Sequence, residues 1–252
     1  MNNNSWFKKE RPLLSLQGFG GGSLGSLMGS GDSEPSGLGS VEFDGTDDYL
    51  TIADNDDWDI GGGDFTIELW AYFDSHNSHD CLVHNLTDSG WDGGSWAFEY
   101  VGGQFDVYWM PVTSHVHIDC GTNVPTGSWK HYVWVYDSGT MSIYQAGTRL
   151  GTGSYAGPRD GTNPLCIGGN CVGADFDGKI SNLRLTKGQA LYSGASLTVP
   201  TSPLTRTSQG AIESNVKLLC CNDPDDMLGS TITPGSITVG GGNPAVSSSH
   251  PF

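Results

Sequence analysis

DFTIELWAYF, residues 64–73, alternates without a break: Phe65, Ile67, Leu69, Ala71 and Phe73 fall on one side, Thr66, Glu68, Trp70 and Tyr72 on the other. Successive side chains of a β-strand point to opposite faces, so this run predicts a strand with one apolar face and one mixed face, as in a sandwich. Shorter runs of the same kind flank it. VEFDG (41–45) and DDYLTI (47–52) precede it; CLVHNL (81–86), SWAFEYV (95–101), QFDVYWM (104–110) and HVHID (115–119) follow. Then come SWKHYVWVYD (128–137), TMSIYQAG (140–147), TRLGTG (148–153), PLCIGG (164–169), GKISNLRLTKG (178–188) and VKLLCC (216–221). Gly102-Gly103 and Ser138-Gly139 read as tight hairpins. Many short strands separated by turn residues predict an all-β sandwich or barrel, and no helix is expected.

Composition agrees. The chain has 252 residues, 38 of them Gly, and a formal charge of −17 from 28 acidic and 11 basic side chains. A surface this acidic repels phosphate backbones and anionic bilayers, so no nucleic-acid partner and no membrane insertion are expected. Asp-rich turns suit Ca²⁺, a hard cation that takes oxygen ligands, although acidic residues also simply keep a Gly-rich sandwich in solution. No apolar run is long enough to span a bilayer and no secretory leader is legible, so the chain is expected to be made in a cytosol. Its six cysteines (81, 120, 166, 171, 220 and 221) are then expected to stay as buried thiols, with Cys220 and Cys221 facing opposite sides of a strand.

Three regions follow from these patterns. Residues 1–40 form a Gly/Ser-rich arm whose tip carries Trp6, Phe7, Lys8, Lys9 and Arg11, the aromatic and basic types that anchor interfaces. This tip is read as a docking arm onto another protein. Residues 41–221 form the sandwich. Residues 222–252 form a tail in which SITV (236–239) reads as an edge strand and the last residues show no packing logic.

VEFDGTDDYLTI, DFTIELWAYF, GSWKHYVWVYDSGTMSIYQAGTRLGTG and DFDGKISNLRLTKGQALY, in this order, resemble the laminin-G-like, concanavalin-A-like jelly roll. The resemblance implies a two-sheet antiparallel sandwich whose first hairpin is VEFDGTDDYLTI. ALYSGASLTVPTSPLT followed by VKLLCCND is similar to a version found in structural proteins of tailed, especially aquatic, bacteriophages. That version implies a virion protein, decorating the capsid or built into the tail, with other virion proteins as partners. It also implies that VKLLCC pairs beside VEFDG. The alternative is an adhesin for a host surface glycan.

Some enzymes of this fold cleave glycans with two carboxylates. Glu42 and Asp44 share a strand face, but Gly45-Thr46 turns the chain before Asp47, so catalysis is not expected. No nucleophile elbow, P-loop or dinucleotide fingerprint is present. Histidines 76, 79 and 84 lie among acidic residues near Trp91, Asp92 and Trp96. In that cluster His84, Trp91 and Asp92 are the candidate glycan-binding residues, and Trp96 is assigned to the core. His115 and His117, alternating with Val116 and Ile118, face outward and are the candidate transition-metal ligands.

Overall fold

The computed structural model describes residues 36–86, 96–109, 116–158, 161–170 and 174–252. They build sixteen strands in two antiparallel sheets. In chain order these are β1 (Ser40–Asp44), β2 (Tyr49–Ile52), β3 (Phe65–Phe73), β4 (His79–His84), β5 (Trp96–Val101), β6 (Gln104–Trp109), β7 (Val116–Asn123) and β8 (Lys130–Asp137). Next come β9 (Thr140–Gln145), β10 (Thr148–Ser154), β11 (Leu165–Ile167), β12 (Asp177–Lys187), β13 (Val216–Cys220), β14 (Ser230–Ile232), β15 (Ile237–Gly241) and β16 (Ala245–Ser247). The nine-stranded sheet runs β10-β9-β8-β3-β12-β1-β16, with β13 added along β12 and β14 along β13. The seven-stranded sheet runs β15-β2-β11-β4-β5-β6-β7. Helical structure among the described residues is limited to three short 3-10 turns.

The alternation of β3 sets the architecture. Phe65, Ile67, Leu69, Ala71 and Phe73 are fully buried between the sheets. Trp58, Trp96, Trp109 and Trp134 are buried with them, Trp96 as expected. Trp96 and Trp109 also donate their indole N–H to the carbonyls of Trp58 and Ala156, which removes the cost of burying a polar edge. The hairpins at Gly102-Gly103 and Ser138-Gly139 form where expected, joining β5 to β6 and β8 to β9.

Four expectations are corrected. VEFDG and DDYLTI do not form a hairpin: β1 and β2 lie in different sheets. Asp48 holds the crossing, accepting from the backbone N–H of Asp44 and of Asn243. VKLLCC does not lie beside VEFDG. β12 is eleven residues long and takes both along one edge, β1 against Asp177–Ile180 and β13 against Leu183–Thr186. The break falls at Asn182 (φ +51°), whose side chain donates to Gly37 O and accepts from Leu204 N. Cys220 and Cys221 do not face apart. Cys221 adopts a left-handed φ of +55°, which brings the two buried sulfurs within 3.7 Å of each other. The five described cysteines are all buried, and no disulfide joins any two of them.

The fourth correction concerns the tail, where the last residues do pack. β15 adds to β2 as the expected edge strand, whereas β16 pairs with β1, and Phe252 lies against Trp70.

Candidate functional site

The outer face of the nine-stranded sheet changes character along its strands. At one end Glu68 (β3), Arg184 (β12) and His131 (β8) are fully buried. Arg184 donates to Glu68 through Nε at 2.9 Å and Nη2 at 2.5 Å; His131 Nε2 and Tyr192 Oη reach the other carboxylate oxygen at 3.0 and 2.7 Å. Burial alone would raise the Glu68 pKa, but the Arg184 charge and these bonds outweigh it and hold the carboxyl at about 2. Arg184 also donates to Thr205 O and Ser208 O, and Ala190, Tyr192 and Leu197 pack on Val133, Val135 and Tyr144. This end of the face is therefore covered and structural.

Toward the other end, pairing register puts Ala245, Glu42, Lys179 and Tyr72 in one row across β16, β1, β12 and β3. Trp129 extends the row, edge-on to Tyr72 at 5.7 Å between ring centroids. Lys179 sits 5.2 Å over the Tyr72 ring and bridges Asp74 (2.6 Å) and Glu42 (3.5 Å). Burial would lower the Lys179 pKa, but the two carboxylates raise it, so the ammonium stays charged. Tyr72 and Trp129 are half-buried, each leaving aromatic surface to solvent.

Beyond this row lies an acidic rim. Glu42, Asp44, Asp48, Asp74, Asp177 and Asn243 line a cleft of about 500 Å³. Carboxylate oxygens of Asp44, Asp47 and Asp48 all lie within 4.8 Å of one another. Thr46 N donates to Asp44 at 2.9 Å, fixing the turn that brings them together. The pKa of Asp175 is raised, first by burial and then by the charges of Asp47, Asp44 and Asp48. An all-oxygen set of this kind fits a hard divalent cation such as Ca²⁺ and offers nothing to a soft one.

The seven-stranded sheet carries a second polar cluster. Glu99 and Asp106 stand directly opposite each other on β5 and β6, and His79 Nε2 bonds to Glu99 Oε2. His117 faces outward, as the alternation predicts, with Nδ1 3.6 Å from Asp106 and its ring stacked on Tyr108. His84 is fully buried: its Nε2 meets Gly169 O at 2.8 Å and its Nδ1 accepts from Leu86 N at 2.9 Å. Its imidazole thus tethers β4 to neighbouring chain and presents no surface to a ligand. Trp91, Asp92 and His115 lie outside the described residues, as do Trp6, Phe7, Lys8, Lys9 and Arg11 of the arm.

Sequence reasoning marked Glu42, Asp44 and Asp47 for their carboxylates but missed the Tyr72–Trp129 pair, Lys179 and Asn243. The available signal was Trp129 beside β8 and Tyr72 on the mixed face of β3; what joins them is strand register.

Residues 44–191 match the family described as the Concanavalin A-like lectin/glucanases superfamily. No curated protein sequence matches the chain. Among solved structures, the fold is similar to a heptameric SAP-like pentraxin from Limulus polyphemus, with a TM-score of 0.52 and 16% identity over 84% of this chain and 96% of that one. It is also similar to a candidate carbohydrate-binding protein from Bacteroides ovatus, with a TM-score of 0.57 and 14% identity over 83% of this chain and 59% of that one. At such identities the likeness is one of fold. The family match spans more than half of the chain, which therefore belongs to the Concanavalin A-like lectin/glucanases superfamily.

Proposed function

We propose that the protein is a non-enzymatic glycan-binding module, with the row Trp129–Tyr72–Lys179–Glu42 as its contact surface. The observation that carries this reading is that row itself. Two aromatic rings offer apolar faces to the C–H side of a pyranose, while a charged ammonium and two carboxylates stand ready to bond its hydroxyls. Membership of a lectin-containing superfamily supports it, as does the likeness to the Bacteroides candidate carbohydrate binder. The test is affinity electrophoresis and a glycan array with the whole chain and with Trp129→Ala and Tyr72→Ala. Either substitution is expected to weaken binding about tenfold, the size of one lost ring contact. Retained affinity in both variants would move the site elsewhere on the sandwich.

Within this reading we place the module on the surface of a tailed bacterial virus, as an adhesin for a host glycan anchored to other virion proteins by residues 1–40. The resemblance of ALYSGASLTVPTSPLT (190–205) and VKLLCCND (216–223) to a version found in structural proteins of tailed bacteriophages motivates this placement. Immunogold labelling of purified particles with an antibody to residues 41–221 tests it: label at the tail supports the adhesin, label on capsid faces supports a decoration role, and absence from particles removes the virion.

A further inference from the structure

The aromatic surface does not end at Tyr72. Trp70, two residues earlier on the same face of β3, continues it, but Trp70 is covered. Beyond β16 the chain runs in over it. Ser40 Oγ donates to Ser249 O at 2.7 Å, Trp129 Nε1 donates to Ser249 Oγ at 3.3 Å, and the Phe252 ring meets Trp70 edge-on at 5.4 Å between centroids. Residues 250–252 are only half-buried.

The fit beneath this segment is incomplete. Trp70 is 7% exposed, yet its indole N–H has no acceptor. A buried indole usually finds one, as Trp96 and Trp109 do, although the Trp58 N–H in the core shares the lack. The segment is held over the rings by one ring contact and a few hydrogen bonds. A sugar would offer the same kinds of contact: an apolar face for Trp70, a hydroxyl acceptor for its N–H and another for Trp129 Nε1.

We infer that residues 248–252 are an intramolecular occupant of a three-ring glycan platform, Trp70–Tyr72–Trp129, and that a bound glycan displaces them. The inference rests on the glycan reading of this face and adds its regulation: the segment competes with the ligand, so the closed chain binds more weakly than its surface allows.

The experiment compares the full chain, a chain ending at Ser247, and Phe252→Ala in the full chain, by affinity electrophoresis in β-glucan, xylan, arabinan, pectin and lipopolysaccharide O-antigen. Circular dichroism confirms folding. The chain ending at Ser247 is expected to bind about tenfold tighter, the combined scale of one ring contact and one hydrogen bond, with Phe252→Ala in between. Its tryptophan emission should shift to the red as Trp70 meets water, and adding Trp129→Ala should abolish most of the gain. Equal or weaker binding by both the shortened chain and Phe252→Ala, with the full chain still binding, overturns the occupant and leaves the glycan reading standing. No retardation of any variant in any polysaccharide overturns both.

Discussion

Glu68→Gln tests whether the covered end of the outer face is an electrostatic lock. The substitution keeps shape and removes one charge, leaving the Arg184 guanidinium fully buried without its partner. The carboxyl is held at about 2 against an ordinary 4.5, which corresponds to about 3 kcal/mol of folding free energy at neutral pH. Breaking a buried ion pair from one side costs about 3–5 kcal/mol by the general record, so the two routes agree. Because the folded pKa is depressed, this contribution is fully present above about 4.5 and is lost as pH falls toward about 2. Urea denaturation followed by tryptophan fluorescence at a series of pH values is the assay. The gap between parent and variant should be about 3 kcal/mol at pH 7 and close as acid protonates Glu68. Replacing both partners with apolar residues, Glu68→Leu with Arg184→Met, should recover much of the loss, since neither charge is then stranded. A Glu68→Gln cost below about 1 kcal/mol, or a gap that does not change with pH, would refute the reasoning.

Other outcomes follow from the same structure. Ca²⁺ at about 10⁻⁴–10⁻³ M is expected to raise the melting temperature, with EDTA reversing it and Asp48→Asn abolishing it; an unchanged melting temperature would show the rim to be merely acidic. Burial raises the Asp80 carboxyl to about 6, against opposing bonds from Asn77 and His76, so stability should fall as pH rises from about 4 through about 6. Asp80→Asn should flatten that slope in a pH series of thermal melts. Gly178 has φ +155° and sits between the acidic rim and Tyr72; a Cβ there would run into the Tyr72 carbonyl. Gly178→Ala should therefore cost about 1–3 kcal/mol in chemical denaturation.

The strands were legible because alternation is a local property. Five alternate residues of β3 mark the inner face with no knowledge of its neighbours, and Gly102-Gly103 marks a hairpin by conformational need alone. What failed depended on partners distant in sequence. Gly45-Thr46 reads as a hairpin turn, yet Asp48 bonds to Asn243 from the tail and the chain crosses between sheets instead. Two consecutive cysteines oppose each other only while the strand continues; one left-handed residue ends it and pairs them. The site is the extreme case. Tyr72 and Trp129 look like any aromatic residues of a sandwich until register sets them side by side, and Lys179 becomes part of the surface only because β12 lies between β1 and β3. His84 shows the converse: a histidine among acidic neighbours in sequence turned out to spend both ring nitrogens on backbone.

One sheet face thus separates two tasks that a single sequence pattern cannot distinguish. On β3, Glu68, Trp70 and Tyr72 are successive members of one alternating set; the first two share His131, but their other neighbours differ: Arg184 and Tyr192, then Phe252, then Trp129 and Lys179. Burial of the first is permanent, because its ion pair is enclosed and Arg184 ties down the covering chain. Burial of the second comes from the His131 ring together with the half-buried Phe252 ring, and leaves an indole N–H unmet. The third is open. Stability and binding should therefore come apart along a single strand. Substitution at Glu68 should lower denaturation midpoints without changing the affinity of the molecules that remain folded, whereas substitution at Tyr72 should do the reverse. A Glu68 variant that lost affinity in proportion to its lost stability would mean that the covering segment and the aromatic row form one unit rather than two.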